Sequence, residues 1–116
     1  MTNTQKFRTI VFFKDYFELF YEQQREKVKA KIVWTLKLIE TLPVIPETYL
    51  KHIENSKGLY EVRVQLGSDI FRIFCFFDEG QLIILINGFN KKTKKTPSSE
   101  IQKALSIKKE YENEKK

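Results

Sequence analysis

The stretch from Leu59 to Pro97 constrains this chain more than any other, because it holds three apolar segments separated by turn residues at hairpin spacing. Leu59 to Leu66 alternates, with Tyr60, Val62, Val64 and Leu66 on one side and Glu61, Arg63 and Gln65 on the other. A period of two is that of a half-buried strand. Ile70 to Phe77 is apolar on both sides apart from Arg72, and Leu82 to Ile86 is apolar throughout, so these two belong in the middle of a sheet. Gly67-Ser68 and Asp78-Glu79-Gly80 supply turn chemistry, and an antiparallel meander is the economical arrangement.

Register follows from loop length. A two-residue loop at Gly67-Ser68 sets Arg63 directly opposite Arg72. Like charges facing each other across strands are destabilising, so the pair calls for an anion: Glu61 from within the chain, or phosphate from outside. With Glu79-Gly80 as the next loop, Asn87 falls beside Arg72, and a polar column Arg63, Arg72, Asn87 crosses one face. The other face (Tyr60, Val62, Val64, Phe71, Ile73, Cys75, Leu82, Ile84, Ile86) is wholly apolar and requires helices to cover it. A three-residue turn or a bulge at either hairpin would change this parity.

The helices are found before and after the strands. Ile10 to Phe13 is a short apolar strand suited to the sheet edge. Asp15 with Glu18 makes a capping-box pattern for a short helix ending near Gln24, with Phe17, Phe20 and Tyr21 on its apolar side. Arg25 to Leu42 carries Val28, Ile32, Leu36 and Ile39 at helical spacing, and Pro43 and Pro46 stop it. Trp34 and Leu38 lie off that stripe, and for Trp34 core or rim packing is expected ahead of ligand stacking. Thr48 to Lys57 is extended or turn. Thr96 and Pro97 are expected as N-cap and first residue of a last helix that uses Ile101, Ala104, Leu105 and Ile107 and frays from Glu112 onward. The expected fold is α+β: an antiparallel sheet of about four strands on an N-terminal helical hairpin, with a C-terminal helix.

At 116 residues the chain is expected to be one domain, 1–116, with one core. A net charge of +6 points to anionic partners, nucleic acid ahead of membrane, since no long apolar span is present. No apolar signal segment follows Met1, and cytoplasmic localisation is the expectation. Cys75, alone in a central strand, is a core residue, and one His with one Cys makes no zinc-ligand set. No cofactor is expected. His52 has the chemistry of a general acid or base, although a lone surface His is the commoner case.

Four lysines in five positions, Lys91, Lys92, Lys94 and Lys95, stand between the last strand and the last helix. Beside Arg63 and Arg72 they make a cationic site for phosphates; the alternative is a solvated loop. RNA cleavage without metal fits such a site. A 2′-hydroxyl attacks its adjacent phosphodiester, which needs a base, stabilisation of added negative charge, and a proton for the leaving oxygen. Arginines meet the second need, and lysines meet the others when mutual repulsion lowers their pKa.

The ordered set Gly58-Leu59-Tyr60-Glu61-Val62-Arg63, Phe71-Arg72-Ile73, Asn87-Gly88-Phe89, Lys91 to Pro97 and Glu100-Ile101 resembles the RelE/HigB-like toxins of the RelE/ParE superfamily, particularly their phage-derived branch. The resemblance covers roughly the second half of the chain. It implies a type II toxin that cleaves messenger RNA on the ribosome and is neutralised by a small helix-turn-helix antitoxin. By position it places catalytic roles on Arg63, Arg72, Lys91, Lys92, Lys94 and Lys95, with Lys51, Asn87 and the same lysines on RNA. Lys51 matches only loosely; Phe71 stands where a tyrosine is usual, and lysines stand where some relatives place histidine, aspartate or tyrosine, which leaves the general base open. Relatives of similar fold poison DNA gyrase instead, and a basic RNA-binding module without catalysis is a further alternative.

Overall fold

The computed structural model describes residues 6–90 and 96–115. Its elements run β1 (Thr9–Phe12), α1 (Tyr16–Glu22), α2 (Glu26–Thr41), β2 (Leu50–His52), β3 (Tyr60–Leu66), β4 (Asp69–Asp78), β5 (Leu82–Asn90) and α3 (Ser98–Lys115). The α+β class holds, with one strand more than expected. Five strands lie in the order β1-β5-β4-β3-β2, and the sheet is mixed because β1 runs parallel to β5. The segment 50–52, expected only as extended or turn, adds to the far edge, where Leu50 pairs with Val62 and Lys51 with Glu61.

The first hairpin has the register its two-residue loop dictates, with Arg63 opposite Arg72. The second departs from it twice. Its turn is one residue longer, so Asp78 pairs with Leu82 and Cys75 with Leu85; a bulge then skips Ile86, so Phe74 pairs with Asn87 and Arg72 with Phe89. Each departure inverts the alternation of β5, and together they restore it. Asn87 therefore keeps the face expected of it but lies diagonally from Arg72 rather than directly beside it. Between turn and bulge the faces are exchanged. Ile84 and Ile86 pack with Phe74 and Phe76, while Leu85 joins Ile73 and Cys75. The side chain of Leu82 lies outside the described residues.

This exchange creates a second core where one was expected. Under the helical hairpin, Val28, Ile32 and Ile39 of α2 and Phe17 of α1 meet Val62, Val64, Phe71 and Ile73. On the opposite face, Ala104 and Ile107 of α3 meet Leu59, Phe74, Phe76, Ile84 and Ile86. Gly88 lets α1 approach the sheet: a Cβ there would lie 2.9 Å from the Phe20 ring, which is itself held against Phe17 and Phe71.

Helix ends are secured at long range. Arg8 donates from Nη1 to the carbonyls of Ile39 (2.8 Å) and Leu42 (2.6 Å) and from Nη2 to that of Pro43 (2.7 Å), satisfying the orphan acceptors at the end of α2. Asp15 occupies the N-cap of α1 without a side-chain capping bond, so the capping box does not form. The end of α3 does not fray within the described residues: Lys115 binds Asp78 at 2.7 Å and Glu79 at 3.1 Å, and the Tyr111 hydroxyl donates to Asp78. Thr96 is not the cap of α3. Pro97 supplies the carbonyl that accepts from Glu100 (3.1 Å) and Ile101 (3.2 Å).

Candidate functional site

Strand alternation places Glu61, Arg63, Arg72 and Asn87 on the face that α3 covers only in part. Glu61, Arg72 and Asn87 are buried. Buried charge is costly unless paired, and Glu61 supplies the pairing: its Oε2 lies 3.4 Å from Arg63 Nε and 3.3 Å from Arg72 Nε. Both Nε atoms lack an aligned hydrogen bond, so these are ionic contacts of one carboxylate with two cations. The internal anion required by the facing arginines is thus Glu61.

Each guanidinium is held further by backbone. Arg63 donates from Nη1 to the carbonyl of Glu47 at 3.2 Å, and Arg72 from Nη1 to that of Phe71 at 3.1 Å. Burial lowers the Arg72 guanidinium from its ordinary value, Arg63 adds to the lowering and Glu61 opposes it; an arginine so placed remains charged near neutral pH. The Asn87 amide is buried with neither Oδ1 nor Nδ2 bonded among the described residues.

The two arginines line a cleft of about 370 Å³, together with Lys31, Thr35, Thr48, Tyr49 and Gln65. Among the described residues three cations line it and no carboxylate does; even with Glu61 counted against them, two positive charges are in excess. Its charge is of the sign that attracts anions, and its volume has room for a phosphate and its flanking groups.

The remaining expected residues divide. Lys51 is exposed on β2 and directly opposite Glu61 in register, so the loosely matched lysine belongs to this face. His52, next to it, is exposed with its ring against Tyr60 at 5.1 Å, and it does not line the cleft. Lys91, Lys92, Lys94 and Lys95 lie outside the described residues. Their flanks do not: Asn90 pairs with Phe71, and the Thr96 hydroxyl donates to Glu61 Oε1 at 3.1 Å. Cys75 is buried, and burial pushes its thiol well above the usual range, in keeping with a core role.

Glu61 was legible as a possible counter-ion of the arginines. Lys31, Thr35 and Tyr49 were not legible as cleft residues, because they reach it from a helix and a loop distant in sequence.

A search among curated proteins finds no match. A family model described as phage derived protein Gp49-like (DUF891) matches residues 20–109, a span that runs from α1 into α3 and includes both arginines. The chain therefore belongs to the Gp49-like family of phage-derived proteins, a family of RelE/HigB-like toxins associated with toxin–antitoxin pairs.

Proposed function

We propose that this chain is the toxin of a type II pair and cleaves messenger RNA on the ribosome, with Arg63 and Arg72 holding the scissile phosphate. The observation that carries this reading is the arginine pair itself: two guanidiniums on neighbouring strands, both turned toward one buried carboxylate at a cleft with positive charge in excess. Their described side-chain hydrogen bonds run from Nη1, and the Nη2 of each is the donor we assign to a phosphate oxygen.

In the proposed reaction the 2′-hydroxyl oxygen bonds to the adjacent phosphorus and the bond to the 5′-oxygen breaks, leaving a 2′,3′-cyclic phosphate and a 5′-hydroxyl. Arg63 and Arg72 stabilise the dianionic transition state. Lys91, Lys92, Lys94 and Lys95 accept the 2′ proton, return one to the leaving oxygen and hold the flanking backbone. The placement of Asn90 beside Phe71 and of Thr96 on Glu61 supports this, since both ends of the run are tied next to the arginines. Lys51 and Asn87 extend the RNA contact. The partners are a helix-turn-helix antitoxin, the ribosome and its messenger, in the cytoplasm, and the chemistry requires no metal.

The test is to map transcript ends in cells expressing the protein and to type the new termini. In-frame breaks within translated regions bearing cyclic phosphate support the reading. Intact transcripts accompanied by DNA breaks would overturn it in favour of a gyrase target.

A further inference from the structure

Trp34 is the only tryptophan in the chain. The buried stripe of α2 is completed by Val28, Ile32, Leu36 and Ile39 without it, and Trp34 is left 45% exposed. Its neighbours join it to the arginine cleft. Lys31 Nζ lies 4.1 Å from the centre of its ring, and Tyr49 meets it edge-on at 5.9 Å and 76°. Lys31 and Tyr49 both line the cleft that holds Arg63 and Arg72. An exposed indole therefore stands against two residues that line the cation-rich cleft.

That pairing is the chemistry by which single strands are held: cations follow the backbone and aromatic faces take the bases. Resting on RNA as the substrate, we infer that Trp34 is a stacking platform for a base of single-stranded RNA next to the nucleotide whose phosphate enters the cleft. Tyr49 braces the indole from its edge. Lys31 covers the ring in the free protein, with its ammonium over the indole. On binding it gives the ring to the base and turns its ammonium to the phosphate. Stacking on this platform is tolerant of sequence, since every base has a π-face.

The single indole makes the test direct. The full chain is titrated with a short single-stranded RNA, with an abasic strand of the same length and with tripolyphosphate, reading tryptophan emission and affinity. RNA should quench Trp34, whereas the abasic strand and tripolyphosphate should bind with little quenching. Trp34→Ala should weaken RNA binding about 5- to 150-fold while leaving affinity for the abasic strand unchanged, and Trp34→Phe should restore most of the loss. Equal RNA affinity in a folded Trp34→Ala protein, with the wild type still preferring RNA over tripolyphosphate, overturns the platform and leaves RNA cleavage standing. No preference of the wild type for RNA over tripolyphosphate, together with intact ribosome-bound messenger, overturns both.

Discussion

The two faces of the sheet are made from alternate residues of the same strands, yet they are put to different use. Beneath the hairpin of α1 and α2 the face is buried and apolar, with Val62, Val64, Phe71, Ile73 and Cys75 in its core. Beneath α3 only one end is apolar; the other carries Glu61, Arg63, Arg72 and Asn87. Burying charge costs stability that hydrophobic residues there would not, and the binding role proposed for the polar end accounts for that cost. The apolar end of that face and the whole of the other make up the rigid support.

The contrast between the faces is broken most severely by truncating each core at neighbouring positions of β4. Ile73 and Phe74 are both fully buried, on opposite faces. Ile73→Ala and Phe74→Ala should each lose about 2–5 kcal/mol in chemical denaturation. A Phe74→Ala protein within about 0.5 kcal/mol of wild type, the range of ordinary surface changes, would mean that α3 does not close a second core.

Glu61→Gln sharpens the contrast within the polar end. Removing the carboxylate leaves two arginines facing each other and should cost about 3 kcal/mol. Added phosphate should then raise the thermal midpoint of the variant more than that of the wild type, because an external anion takes the place of the missing one. Equal shifts in the two proteins would show that the arginines do not form the anion site.

The lysine run gives a smaller, graded effect. Replacing Lys91, Lys92, Lys94 and Lys95 by Gln should flatten the salt dependence of RNA binding by about 0.7 in logarithmic slope for each phosphate that is no longer neutralised. An unchanged slope would leave the run as a solvated loop.

The smallest effect belongs to the anchors of α3. Lys115, then Tyr111, hold the Asp78 carboxyl below its ordinary value, and Lys14, then Tyr16, do the same for Glu110. Carboxylates depressed in the folded state add stability above their unfolded values and lose it as pH falls through the folded ones, so the loss should begin below about pH 4. Both groups are solvated, and the effect is modest. Asp78→Asn should shallow the acid limb of the melting curve, and a limb of unaltered depth would mean that Asp78 does not anchor α3.

Much of this arrangement was legible in the chain. The alternation of Leu59 to Leu66 and the loop Gly67-Ser68 were enough to place Arg63 against Arg72, because both signals are local. The second hairpin was not, since the longer turn and the bulge at Ile86 leave no distinct mark in an all-apolar run. Asn87 kept its face only because the two shifts cancel. Strand β2 escaped because three residues are too few to show a period, and its pairing is set by β3. The cleft itself is formed by residues far apart in sequence, Lys31 and Tyr49 among them, which no local pattern connects to the arginines.

If the polar end of the sheet exists for what it binds, then Arg72 is buried for chemistry and not for packing. The most direct test is the single-turnover rate at which ribosome-bound messenger is cut by purified wild-type and Arg72→Ala protein, with the thermal midpoint of each measured alongside. The expected result is a folded variant whose rate falls about 100- to 1000-fold, the loss typical of removing one donor to a developing oxyanion. A folded Arg72→Ala protein that cuts at the wild-type rate would contradict it.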